Sequence, residues 1–256
     1  MAIAPFLAMT AAEIYAASRL PPKTAWMACH FSPYGLGLSN LPQKLPPGSL
    51  LMIDDITPPH GHDPGFIAEQ VTDCAEAFQC CGILLDFQRN GSEETRAMAA
   101  HLVQALSCPV IVSEGYGEDL DCPIVLPPLS PSEPLEKYLS RWKGREIWLE
   151  LGLEGEILTL TEEGCQVASL PCPASEPEGF SDEKLHCHYA IDIAEKSVSF
   201  TLWRTIKDFE PLLTEAEALG VTGAVGLYQE LGRFAPPKSL PCVKGGGPPR
   251  GGSEGL

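Results

Sequence analysis

Short apolar runs separated by amphipathic stretches recur along the first 150 positions, and their spacing predicts strands alternating with helices. Trp26 to Phe31 reads as the first strand and Leu50 to Ile56 as the second. Gly82 to Asp86, Val110 to Ser113, Ile124 to Leu126 and Glu146 to Leu151 continue the series. Between them, Pro64 to Phe78 sets Phe66, Ile67, Val71, Cys74, Ala75 and Phe78 at helical spacing, Ser92 caps a helix reaching Leu106, and Leu135 to Trp142 forms another. Ahead of the first strand, Thr10 and Glu13 make a capping box for a short helix to Ser18, which Pro21-Pro22 stops. Near-continuous apolar strands flanked by amphipathic helices are what a parallel sheet covered on both faces requires.

The alternation breaks between Gly152 and Val198. Glu154-Gly155 and Glu163-Gly164 read as turns joining short antiparallel strands, and Pro171 to Glu178 as a loop. Tyr189 to Ile193 and Val198 to Trp203 either extend this insertion or rejoin the main sheet. Asp208 to Leu219 is then a helix with Gly220 as its cap, and Gly223 to Tyr228 a last strand. Taking Trp26, Leu50, Ile83, Val110, Ile124, Ile147, Val198 and Val225 as markers gives the strands of an α/β fold, a closed (β/α)8 TIM-type barrel with a small antiparallel insertion in its C-terminal half. The expectation is one domain over residues 1–238. A Pro/Gly-rich tail over 239–256 carries too little apolar surface to order itself.

Composition narrows the function classes. With 256 residues and 44% hydrophobic content the chain can bury one large core, and a net charge of -17 excludes the cationic footprint needed for nucleic acid or an anionic membrane. The ten cysteines follow no Cys-x-x-Cys spacing, which favours reduced thiols over a disulfide or zinc framework. Met1 to Met9 is apolar but lacks a basic start, and Glu13 interrupts it. No run reaches the length of a membrane span. The expected location is the cytoplasm.

The run Gly82-Ile83-Leu84-Leu85-Asp86-Phe87-Gln88-Arg89 ends in an acid, an aromatic and an amide, and α/β folds place their sites at such strand ends. It resembles the signature strand of glycoside hydrolase family 18, the chitinase family, D-x-x-D-G-[IV]-D-[IL]-D-[WF]-E. Gly82, Ile83, Leu85, Asp86 and Phe87 match in kind. Cys81 and Leu84 replace two acids, and Gln88 occupies the position of the family's catalytic glutamic acid. A second stretch, Ser199 to Trp203, Asp208 to Leu213 and Glu215 to Gly232, is similar to the end of family 18 barrels. There the family's sugar-subsite Trp aligns with Tyr228 when one residue is inserted after Gly223. The resemblance implies a barrel acting on N-acetylglucosamine polymers. In the family route the glutamic acid protonates the leaving oxygen, and an Asp two residues earlier orients the substrate's own acetamido group. Asp86 keeps the second role, whereas the Gln88 carboxamide has no proton to give near neutral pH. The resemblance therefore implies a carbohydrate partner and a binding mouth without family-type hydrolysis.

Other residues leave alternatives open. Glu114, Glu150 and Glu230 each fall near the end of a strand, where one could supply the acid missing at Gln88 and preserve hydrolysis. Asp54, Asp55, Tyr34 and Tyr228 are candidates for sugar contact. Trp26 and Trp148 could also stack on a sugar, although lone aromatics near strands are more often core. His60-Gly-His62-Asp63 has the His-x-His spacing of a metal-dependent hydrolase. Pro58-Pro59 push that pair into a loop, however, and Asp63-Pro64 reads as a helix start, so no metal and no cofactor is expected. His186 and His188 are two apart and should share one solvent face. Phosphate loops and Gly-x-Ser-x-Gly elbows are absent.

Overall fold

The computed structural model describes residues 3–88, 91–170 and 178–232. Eight parallel strands close into a barrel: β1 (Phe6–Met9), β2 (Thr24–Phe31), β4 (Leu50–Asp54), β5 (Gly82–Asp86), β6 (Val110–Ser113), β7 (Ile124–Leu126), β8 (Ile147–Leu151) and β14 (Val221–Leu227). β1 completes the ring, pairing with β14 through Phe6 and Val225 and with β2 through Met9 and Trp26. The short β3 (Leu38–Ser39) folds back antiparallel on β2. The second sheet is antiparallel and enters between β8 and β14. It comprises β9 (Gly155–Thr161), β10 (Gly164–Leu170), β11 (Phe180–Asp182), β12 (Cys187–Ala194) and β13 (Ser197–Trp203), in the order β10-β9-β13-β12-β11.

The barrel expectation therefore holds, with one strand reassigned. Val198 lies in β13 of the insertion, and the eighth barrel strand is β1, in the segment whose apolar character had suggested only a failed leader. Its four residues are all buried, so neither alternation nor flanking turn chemistry marks it as a strand. The Pro/Gly-rich tail falls outside the described residues.

Three of the α-helices carry side-chain caps at their N-termini. In α1 (Ala11–Ala16) the Thr10 hydroxyl accepts from the Glu13 amide while the Glu13 carboxylate accepts from the Thr10 amide, a complete capping box. Asp63 caps α2 (Pro64–Phe78), with Pro64 in the first turn where its missing N–H costs nothing. Ser92 caps α3 (Glu93–Ala105). The remaining α-helices are α4 (Glu114–Gly117), α5 (Leu135–Ser140), α6 (Phe209–Ala218) and α7 (Tyr228–Leu231).

Two apolar compartments follow from strand alternation. Odd positions of β4 and β5, such as Leu51, Ile53, Ile83 and Leu85, face the helices and join Ile67, Val71, Met98 and Leu102 in the larger core. Even positions fill the barrel: Leu50, Met52 and Leu84 meet Phe6, Ile111, Val125 and Trp148 there. Each buried Leu or Ile stabilises by roughly 1.5–3 kcal/mol relative to exposure. Trp148 lies against Phe6, ring centroids 5.7 Å apart, and a Cβ on Gly223 would come within 2.4 Å of its indole. Gly223 thus lets the largest interior side chain lie across the barrel. β14 shifts register between Val221 and Gly223.

Candidate functional site

The same alternation that fills the barrel delivers polar groups to its mouth. Asp54 follows Met52 by two positions, Asp86 follows Leu84, Ser113 follows Ile111 and Glu150 follows Trp148, so all four continue interior-facing rows at the C-terminal strand ends. Asp54, Asp86, Glu114, Glu150 and Tyr228 fall at one rim, because each ends or immediately follows a strand of a fully parallel ring.

On one side of the mouth, Asp54 and Asp86 are register partners on neighbouring strands. Asp54 Oδ1 accepts from the Ile56 amide at 3.0 Å, and the buried Asp55 accepts from the Gln88 amide, also at 3.0 Å. The Gln88 side chain turns back and donates from Nε2 to Asp86 Oδ1 at 2.7 Å. Burial pushes the Asp86 carboxyl above the usual range and Asp54 and Asp55 add to the rise, while the Gln88 hydrogen bond opposes it. Met27, Met52, Asp54, Asp55, Asp86 and Gln88 line a cleft of about 190 Å³ here.

Gln88 also borders a second cleft of about 540 Å³, with Arg96, Glu114, Tyr116, Glu150 and Glu154 among its walls. Burial, reinforced by Asp86, Glu154 and Glu230, raises the Glu150 carboxyl to about 7. Arg96 stacks its guanidinium over the Tyr116 ring at 5.3 Å and meets Asp119 at 3.2 Å. Phe87 borders this cleft too and packs between Phe31 and Tyr116, which holds the backbone on which Asp86 and Gln88 stand.

The remaining candidates are placed differently. Glu114 lines the second cleft, whereas Glu230 accepts the Leu153 amide at 3.0 Å and borders neither cleft. Tyr34 is 99% exposed on the loop after β2, outside both clefts. Tyr228 packs into the outer core, and Leu227, two residues beyond the interior Val225, takes the mouth-facing parity instead. Trp26 is core, its indole N–H donating to the Asn40 carbonyl. His60 points outward to Glu94 at 2.9 Å while His62 packs edge-on against Phe31, so the two imidazoles do not converge. Among the described residues no cluster of three or more His, Cys, Asp or Glu is arranged to hold a metal ion. His186 and His188 do not share a solvent face: His186 precedes β12 and pairs with Glu215 at 2.6 Å, and His188 stacks on Trp203.

Sequence reasoning missed Glu154, Arg96, Tyr116 and Ser113. Parity two residues beyond Ile111 could have identified Ser113, and Glu154 was hidden by its role in a turn. Nothing local to Arg96 points to the cleft, because α3 brings it there from outside the strand series.

No family model matches the chain, and no curated protein does. Solved structures match its fold. The spore cortex-lytic enzyme SleL of Bacillus cereus superposes with a TM-score of 0.53 at 11% identity, over 88% of this chain and 70% of that one. A chitinase from Chromobacterium violaceum ATCC 12472 gives 0.51 at 11% identity, over 88% of this chain and 93% of its own. The chain has the TIM-barrel fold of these glycosidase-type neighbours. No helix of the described residues is long and apolar enough to cross a membrane.

Proposed function

We propose that this chain is a family-18-like protein that binds β-linked amino-sugar chains at its barrel mouth and does not cleave them by the family's substrate-assisted route. The observation that carries this reading is the 2.7 Å hydrogen bond from Gln88 Nε2 to Asp86 Oδ1. It supports the reading in which a carboxamide, with no titratable proton, stands where the resemblance calls for a general acid, and it engages the oxygen of the Asp that would orient an acetamido group. Hydrogen-bonding capacity survives, since Gln88 retains a carbonyl acceptor and Asp86 a second carboxylate oxygen. The free thiols among the described cysteines support a reducing, cytoplasmic setting.

Titration calorimetry with N-acetylglucosamine oligomers tests the reading, paired with an assay for new reducing ends. The expected result is binding that Asp86→Ala weakens by about tenfold or more, with no cleavage by the wild type. Absence of binding would overturn it.

A second reading rests on Glu150. A carboxyl raised to about 7 at the edge of the larger cleft has the protonation behaviour of a general acid, so hydrolysis with the acid moved from β5 to β8 is the competing mechanism. Glu150→Gln would abolish such activity and leave binding largely intact.

A further inference from the structure

The larger cleft gathers carboxylates that have no counter-charge. They come from the two strands flanking β7: Glu114 directly follows β6, Glu150 stands on β8 and Glu154 lies in the connection after it. Among the described residues none of these three carboxylates accepts a hydrogen bond or makes an ion pair. Arg96 is the one cation among the described residues lining the cleft, and its guanidinium is already engaged by Asp119 and the Tyr116 ring. Through Gln88 the cleft adjoins the smaller one, whose charged walls are Asp54, Asp55 and Asp86.

Beyond burial, Asp86, Glu154 and Glu230 crowd Glu150, so the mouth holds like-charge repulsion that a bound cation would relieve. The cleft also offers apolar surface. Val125, Pro127 and Pro128 follow the course of β7 between the two acidic sides, with Phe87 and Tyr116 beside them. A volume of about 540 Å³ lies within the range of pockets that take small organic ligands. The substituent on the sugar decides the fit. An acetamido group brings one N–H donor and a carbonyl oxygen that carboxylates repel, whereas an ammonium brings three donors, a positive charge and no acceptor.

Resting on the reading of the mouth as an amino-sugar site, we infer that the units seated in the larger cleft carry a free amine. The ligand is a β-linked chain with unacetylated, positively charged glucosamine units, whose ammonium groups are received by Glu114, Glu150 and Glu154. An acetylated unit still fits beside Asp86, where Gln88 offers both a donor and an acceptor. A cleft lined by one sign of charge also concentrates ligands of the opposite sign.

Titration calorimetry on the full chain at about pH 6.5, where a sugar amine is still largely protonated, compares glucosamine with N-acetylglucosamine oligomers of equal length. The free-amine oligomer is expected to bind at least about tenfold more tightly at low salt, with the advantage shrinking at about 0.5 M. Glu114→Gln with Glu154→Gln, isosteric changes at positions that are not buried, should bring the ratio of the two affinities towards one. Glu162→Gln with Glu163→Gln removes the same two charges from a turn of the inserted sheet and should leave the ratio as it was. Equal affinity of the wild type for the two oligomers overturns the inference and leaves the amino-sugar reading standing. A preference that the cleft pair lowers no more than the turn pair also overturns it, because the net charge of -17 rather than the cleft would then be the cause. Binding of neither oligomer overturns that reading and the inference together.

Discussion

Across the barrel mouth two groups of carboxylates share the same low-dielectric setting and are treated differently. On the β4–β5 side each acid accepts a hydrogen bond: Asp54 from the Ile56 amide, Asp55 from the Gln88 amide and Asp86 from the Gln88 carboxamide. On the β8 side, Glu150 accepts none among the described residues, and burial, with three further carboxylates adding to it, raises it to about 7. Desolvation is the leading cause of the rise at both Asp86 and Glu150, so the contrast lies in compensation. Donors aimed at a carboxylate hold it charged and oriented, whereas a buried acid without donors stores a proton. On the proposed reading, the hydrogen-bonded side of the mouth positions a ligand. The other holds the labile proton.

The largest effect should come from reversing the chemistry at position 88. Gln88→Glu puts an acid where the amide now donates to Asp86, and two carboxyls at that separation must share a proton. On the proposed reading the wild type releases no reducing ends from N-acetylglucosamine oligomers, while this variant gains turnover of about a hundredfold over background. Release by the wild type that persists in Gln88→Ala and disappears in Glu150→Gln would break the comparison and move the chemistry to β8.

The β8 side makes a thermodynamic prediction of intermediate size. A carboxyl raised from 4.5 to about 7 binds its proton more tightly folded than unfolded. Stability therefore falls as pH rises between those values, with the penalty fully present above 7 and absent below 4.5. Its upper bound is about 3 kcal/mol. Glu150→Gln removes the charge at constant shape, so its Tm should exceed that of the wild type by about 3 to 8 °C at pH 8, with the gain gone by about pH 4.5. Equal melting temperatures at pH 8 would show that solvent screens Glu150.

Much of this architecture was legible from periodicity, because strands buried on both faces and helices with side-chain caps announce themselves locally. β1 did not, since four buried residues carry no pattern and only closure with β14 and β2 makes them a strand. Asp86 and Gln88 were readable as a strand terminus and Glu150 by its place near the end of β8. The difference between them was not. It depends on which donors reach across from neighbouring strands, as when Asp55 takes the Gln88 amide from thirty-three residues away. Tyr228 and Leu227 illustrate the same limit: one step of strand parity decides which enters the mouth and which joins the outer core.

The smallest effect is expected at the histidines of the β4–α2 loop, which tests whether the compensated side of the mouth extends to a metal. His60 is exposed and held by Glu94 on α3, whose hydrogen bond raises the imidazole above its ordinary value. A raised histidine contributes stability that is present below the ordinary pKa of about 6.5 and is lost as pH rises through its folded-state value. Solvent screening leaves little of it in an exposed pair. His60→Ala should therefore shift Tm by no more than about a degree at pH 5 and not at all at pH 8. Because His62 turns inward against Phe31, added zinc should stabilise neither the wild type nor the variant. A zinc-dependent rise in Tm of several degrees, lost in both His60→Ala and His62→Ala, would show the two rings swinging together onto one ion. It would also make the β4 carboxylates, now satisfied by backbone and Gln88 donors, part of a metal centre.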